Sequence, residues 1–186
     1  MRLFAAIELT QEIREALAAF LTELRGIVPQ VKWVRAENLH LTLKFLGETE
    51  TGKLGPIRNT LAAIRTEAPV TLDFHGLGFF PNERRPRVFW IGMEASSNLK
   101  SLAAQMDHAL HRLGFPLDDR PFTPHLTLAR FSQSGVPPKV VALTRENESR
   151  IFGSMTTGKF HLIESKLKPG GAEYTTLQSF PFVAEA

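Results

Sequence analysis

Cysteine is absent from the 186-residue chain, which excludes disulfides, thiol nucleophiles and cysteine-bound metal centres. No segment approaches the roughly 20 consecutive apolar residues that span a bilayer. The apolar stretch in Met1-Arg2-Leu3-Phe4-Ala5-Ala6-Ile7-Glu8 is too short for a signal peptide. A soluble, cytoplasmic protein is therefore expected. Charge of one sign is also in short supply: 22 basic residues against 19 acidic ones leave 22 − 19 = +3. That excess suits an anionic ligand and falls far short of the basic stripe of a duplex-binding protein. With 43% hydrophobic residues the chain can bury one substantial core, so a single domain is expected over residues 1–186.

Histidine is scarce too, with six copies, and two of them stand in identical strings, His40-Leu41-Thr42-Leu43 and His125-Leu126-Thr127-Leu128. Polar–apolar alternation marks a strand with one buried face, so His and Thr share one side while the leucines enter a core. The surroundings repeat as well. The histidines are 125 − 40 = 85 residues apart, helix starts near Gln11 and Asn98 differ by 87, and Phe74-His75 recurs as Phe160-His161 after 86. A nearly constant offset implies two similar half-domains, interleaved as two lobes of one domain, whose packing about a pseudo-twofold axis would set His40 against His125 across a groove.

The pattern predicts a strand over Leu3–Leu9, then a helix capped by Thr10 and stopped by Gly26. A short strand at Val31–Val34 and the first motif strand, Leu39–Leu46, follow. A second helix carries Leu54, Ile57, Leu61 and Ile64, with Pro56 tolerable near its start. Strands at Val70–Phe80 and Arg87–Glu94 flank a polar loop, and a third helix runs from Asn98 to Gly114. The second motif strand follows Pro124, a fourth helix lies near Pro138–Glu148, and two further strands end the chain. The fold class is α+β: two pseudo-symmetric lobes of antiparallel sheet backed by helices, with the active-site groove between them.

Imidazole titrates near 6.5, so one copy can accept a proton while another donates one at the same pH. A threonine two residues along can donate its hydroxyl to a phosphoryl oxygen. Two His-x-Thr strands thus suit phosphodiester displacement without a metal. A dication would want a third ligand, usually a carboxylate, yet Thr42, Lys44, Thr127 and Ala129 are the residues on the histidines' strand faces by parity.

The two strings resemble the paired His-x-Thr-x motifs of the 2H phosphoesterase superfamily, and most closely its RNA 2′,3′-cyclic phosphodiesterases, also described as 2′-5′ RNA ligases. The resemblance extends from the Phe-Ala-Ala-Ile-Glu start through His40–Gly47, Gly78–Pro81, Pro86–Trp90 and Phe122–Arg130 to Ser165, Leu167, Pro169, Gly171, Tyr174 and Phe180-Pro181. It implies hydrolysis of a terminal 2′,3′-cyclic phosphate on RNA to a 2′-phosphate, with no cofactor and no metal, beside a weak reversible 2′-5′ ligase activity. By the same resemblance His40 is the proton donor, His125 the proton acceptor, and Thr42, Thr127 and Arg130 bind the phosphate. The residues themselves leave the donor–acceptor polarity open. Strict alternation also sets Arg130 on the leucine face, so it reaches the groove only if the strand ends, twists or bulges near Ala129.

Trp33, Phe45, Phe79, Phe80, Trp90 and Phe122 flank the motifs. Core packing is the default for each, and Trp33, Phe45, Trp90 and Phe122 are the candidates for stacking on a base. His75 and His161 read as packed or surface residues, and His108 and His111 as solvated or flanking the core. Arg84, Arg85 and Arg87 form a basic loop open to solvent or an RNA backbone. Lys44 shares the motif face by parity, either in the groove or at the surface. The expected partner is an RNA or oligonucleotide end; a monomer without membrane or obligate protein partner is the default. The alternatives are a non-catalytic RNA- or nucleotide-binding module, a phosphodiesterase for another small cyclic phosphate, and a metal-dependent phosphoesterase.

Overall fold

Leu3 to Ile7 is buried along its whole length, so the first strand, β1 (Arg2–Glu8), is covered on both faces. Its position explains this: β1 is an inner strand of a sheet ordered β2-β1-β7-β8. The computed structural model describes residues 1–66, 69–131 and 135–183. Among them the chain runs β1, α1 (Gln11–Ile27), β2 (His40–Glu48), α2 (Leu54–Ala62), β3 (Val70–Phe80), β4 (Val88–Ala95), α3 (Asn98–His111), β5 (His125–Arg130), α4 (Pro138–Glu146), β6 (Ile151–Thr157), β7 (Lys159–Lys168) and β8 (Gly171–Pro181). The second sheet is ordered β5-β4-β3-β6, and all strand pairs in both sheets are antiparallel. No described helix is long and apolar enough to cross a membrane.

Helical spacing sets Ile13, Leu17, Phe20, Leu21 and Leu24 on one buried stripe of α1, and Leu99, Leu102, Met106 and Leu110 on the matching stripe of α3. Three local expectations are corrected. Thr10 precedes α1 in an extended conformation, but its hydroxyl makes no cap; only its carbonyl accepts, from the Arg14 amide at 3.0 Å. Gly26 does not stop α1, which continues to Ile27. Val31–Val34 forms no strand: Trp33 makes a single bridge to Ala129, and the Val34 amide donates to the Leu128 carbonyl at 2.8 Å.

Three strands, not two, follow α4. The extra one, β6, escapes a period-two reading because Gly153 interrupts it at φ 128°. A Cβ there would lie 2.8 Å from Ile13 Cδ1, so glycine lets α1 approach the sheet.

Strand order decides what faces what. β2 and β5, which carry the two motifs, are edge strands of their sheets and contact each other. Behind each comes an inner strand, β1 or β4, and then a third strand, β7 or β3. The third strands carry Phe160-His161 and Phe74-His75. Each sheet thus takes its third strand from the opposite half of the chain.

Candidate active site

In β2, His40 and Thr42 are half-buried while Leu41 and Leu43 are buried; β5 repeats this with His125, Thr127, Leu126 and Leu128. The repetition extends to how each imidazole is held. His40 Nδ1 donates to the Asn38 carbonyl at 2.8 Å, and His125 Nδ1 donates to the Thr123 carbonyl at 2.8 Å. A carbonyl oxygen can only accept, so both rings, when neutral, keep their proton on Nδ1 and present a bare Nε2. Neither threonine hydroxyl has a protein hydrogen-bond partner among the described residues.

Beyond the threonines both strands bulge at the same place. Ala6 pairs with Thr42 but Ala5 with Lys44, leaving Leu43 as the extra residue; Trp90 pairs with Thr127 but Phe89 with Ala129, leaving Leu128. A bulge resets the alternation of every later residue. Leu128 and Ala129 are therefore both buried, and Arg130 emerges on the side of His125 and Thr127. It lies close enough to His40, His125 and Tyr174 to act electrostatically on all three. The strand does bulge where Arg130 requires it. Among the described residues Arg130 has no ion-pair partner.

The same reset overturns the parity reading of Lys44. Its side chain is swept off the motif face and is 2% exposed. There Nζ binds Asp107, donates to Asp118 Oδ1 at 2.8 Å and to the Pro116 carbonyl at 2.8 Å. Burial opposes the ammonium charge, but the two aspartates outweigh it and raise the pKa. Phe45 then occupies in β2 the place that Arg130 holds in β5. It is 49% exposed, with the Arg2 guanidinium 5.0 Å above its ring.

Burial is the main influence on both imidazoles. His40 is stacked on Phe4 at 4.6 Å, with the edge of Tyr174 at 5.1 Å. Loss of water pushes its pKa down to about 4; Arg130 and Arg14 add to the fall, while the Asn38 bond and Glu8 oppose it. Glu8 sits directly across from His40 on β1 and accepts from the Thr176 hydroxyl at 2.6 Å. His125, with the edge of Phe80 at 4.8 Å, is lowered by burial and by Arg130, against the Thr123 bond. Burial holds the Tyr174 hydroxyl above its ordinary range.

The stacking candidates separate. Trp33 is 7% exposed, donates its indole N–H to the Val28 carbonyl at 3.1 Å and packs on Phe89, so it belongs to the core. Phe122 packs against the core and lines a different hollow, beside Asp107, His108 and Asp118. Phe45 and Trp90 stay on the groove faces. Phe79 is buried. His161 is 5% exposed and bonds the Ser179 hydroxyl at 2.9 Å, His75 lies 3.8 Å from Glu94, and His108 and His111 are exposed on α3. Arg84, Arg85 and Arg87 are exposed, the first two with their amides on the Asn82 side chain. The contributions of Phe4, Phe80, Tyr174 and the two carbonyls were not read from sequence. The one available signal was the equal spacing of Asn38 and Thr123, each two residues before a histidine. Among the described residues no group of three or more His, Asp or Glu side chains is placed to hold a metal ion.

The profile of a family described as LigT like phosphoesterase matches the chain twice, over residues 7–90 and 91–174. A protein of Archaeoglobus fulgidus named RNA 2′,3′-cyclic phosphodiesterase is 41% identical over 180 residues, 97% of this chain and 99% of that one. One of the same name from Thermus thermophilus is 37% identical over 197 residues, covering 100% of this chain and 92% of its own. Among solved structures, a Thermus thermophilus protein superposes with a TM-score of 0.80 at 35% identity, over 98% of each chain. E. coli LigT in complex with 3′-AMP superposes with a TM-score of 0.75 at 30% identity, again over 98% of each. The chain belongs to the LigT-like phosphoesterase family.

Proposed function

We propose that the protein hydrolyses 2′,3′-cyclic phosphate ends of RNA to 2′-phosphates by two-histidine acid–base catalysis without a metal. The observation that carries this is the matched pair of imidazoles, each fixed by a backbone carbonyl two residues back and both near Arg130. Relatives across the whole chain bear the name of that activity.

His125 Nε2 takes a proton from water as the oxygen attacks phosphorus. The P–O3′ bond breaks, His40 gives its Nε2 proton to the departing 3′-oxygen, and the 2′-phosphate stays on the ribose. Burial favours neutral imidazoles, so the proton on His40 is held with the help of the bound phosphodiester anion. Arg130 and the Thr42 and Thr127 hydroxyls bind the phosphoryl oxygens as charge gathers on them. With the 5′-hydroxyl of a second strand in place of water, the same attack breaks P–O3′ and leaves a 2′-5′ phosphodiester, a weak and reversible ligation. The reading takes residues 1–186 as one duplicated domain of two interleaved lobes. It acts as a cytoplasmic monomer, with RNA ends as its partner.

The test is an oligonucleotide ending in a 2′,3′-cyclic phosphate, incubated with excess chelator. A 2′-phosphate product is expected. Absence of turnover with retained binding favours a non-catalytic module, loss under chelator favours a metal enzyme, and a 3′-phosphate product removes the assigned polarity.

A further inference from the structure

The hydrogen bond that orients each imidazole is the same in both lobes, but what stands behind the accepting carbonyl is not. The Asn38 carbonyl, which holds His40 Nδ1, ends a single 3₁₀ turn, Ala36–Asn38. So short a turn has few bonds of its own and takes its position from outside. Arg14 of α1 supplies part of this, donating to the Ala36 carbonyl at 3.0 Å and to the Glu37 carbonyl at 2.9 Å. The rest comes from Asn38 itself. Its side-chain Nδ2 donates to the Ala172 carbonyl of β8 at 2.8 Å, 134 residues further along the chain. In the β5 lobe the Thr123 hydroxyl reaches no further than the Pro121 carbonyl of its own loop, at 3.4 Å.

In sheet order β8 is the strand furthest from β2, three strand spacings or about 14 Å away across a flat sheet. A 2.8 Å bond closes that gap because the sheet curls until its two edges approach. The approach is centred on His40, which β8 meets from alternate positions. Ala172 holds Asn38, and the edge of Tyr174 stands 5.1 Å from the imidazole. The Thr176 hydroxyl donates at 2.6 Å to Glu8, the residue paired with His40. The imidazole thus points at one carbonyl, and the place of that carbonyl is set by the β7–β8 hairpin.

We propose that Asn38 is a positioning residue for the proton donor: its main chain aims His40, and its side chain fixes that aim against the β7–β8 hairpin, contributed by the other half of the chain. This rests on the reading of His40 as the acid in cyclic-phosphate cleavage. With Nδ1 tied to a fixed carbonyl, the Nε2 proton lies on a set line toward the departing 3′-oxygen. When the carbonyl drifts the ring swings with it, and the proton is misaligned although Arg130 and the threonines still bind the phosphate. Asn38 itself touches no reacting atom.

The test compares Asn38→Ala with wild type on adenosine 2′,3′-cyclic monophosphate and on its analogue with sulfur in place of O3′. Attack of water on the analogue breaks P–S3′ and releases a thiolate, which leaves without the proton of His40. Loss of one part-buried hydrogen bond leaves the chain folded. Asn38→Ala is expected to lower kcat on the oxygen compound by roughly ten- to hundredfold, with KM within about twofold. The sulfur compound should be cleaved at the wild-type rate. Equal slowing of both compounds overturns the inference, as does undiminished cleavage of the first. If wild-type protein cleaves neither, the cyclic-phosphate reading fails instead, and the aim of the ring is still measured without substrate. Imidazole nitrogen NMR of neutral His40 should show the proton on Nδ1 in wild type and shared between Nδ1 and Nε2 in the variant, with His125 unchanged. A His40 signal that stays in place counts against Asn38.

Discussion

The lobe of β2 and the lobe of β5 agree in everything that orients an imidazole and differ in what surrounds it. Both have His-x-Thr, a carbonyl two residues back and a bulge after the threonine. Past the bulge they diverge: Lys44 and Phe45 in one, Ala129 and Arg130 in the other. On the inner strands Glu8 and Ala6 stand where Gly92 and Trp90 stand in the second. The imidazole geometry is kept in duplicate, while Arg130 and Trp90 stand in the β5 lobe where the β2 lobe has Phe45 and Ala6.

The sharpest way to break the comparison is to remove one imidazole at a time. His40→Ala and His125→Ala should each lower kcat by about a thousandfold, measured on a cyclic-phosphate-ended oligonucleotide. The double variant should be little worse than either, because the pair acts as a unit. A large inequality between the single variants would show that one lobe performs the chemistry alone.

The next effect separates the lobes by burial. In the unfolded chain His40 binds its proton near 6.5, but in the folded protein only near about 4. Between those values the unfolded chain holds more protons, so stability falls as pH is lowered through that window. Roughly 2 kcal/mol should be lost between pH 7 and pH 5 from this residue. Urea unfolding at the two values should show a shallower dependence in His40→Phe, and inorganic phosphate should restore part of the loss in the wild type.

The smallest effect concerns the two residues after the bulges. Arg130→Ala should cost about tenfold or more in kcat/KM, as expected for a charge-assisted bond to phosphate. Arg130→Lys should recover only part, because the planar fork is lost. Phe45→Ala, at the matching place, should stay within about threefold, given how much weaker the loss of an exposed contact is. Equal losses at the two positions would mean that the phosphate is shared evenly between the lobes.

Much of this architecture could be read from the residues. The strand Val70–Phe80 and the start of α3 at Asn98 lie where the pattern puts them: β3 alternates on either side of a bulge at Gly76, and Leu99, Leu102, Met106 and Leu110 keep helical spacing. The motif strands were legible for the same reason. Lys44 and Arg130 show where such reading stops. Each follows a flawless His-x-Thr-x alternation, and the bulge that diverts it is set by pairing with β1 or β4, not by anything local. One cause therefore buried the lysine and delivered the arginine. Trp33 failed as a stacking candidate through a comparable long-range contact, its bridge to Ala129. Strand β6 was missed because Gly153 answers to α1 rather than to its own strand.

The exchange of third strands has a consequence for how the molecule comes apart. Pulling β7 away unzips the sheet that carries His40, yet β7 belongs to the half of the chain that carries His125; β3 stands in the reciprocal position. Neither half can therefore melt as a private unit, and cutting the chain in the β3–β4 loop yields no half-enzyme. Amides flanking both histidines should exchange with solvent only through openings that engage both sheets, so the two ends of the groove share one cooperative lifetime.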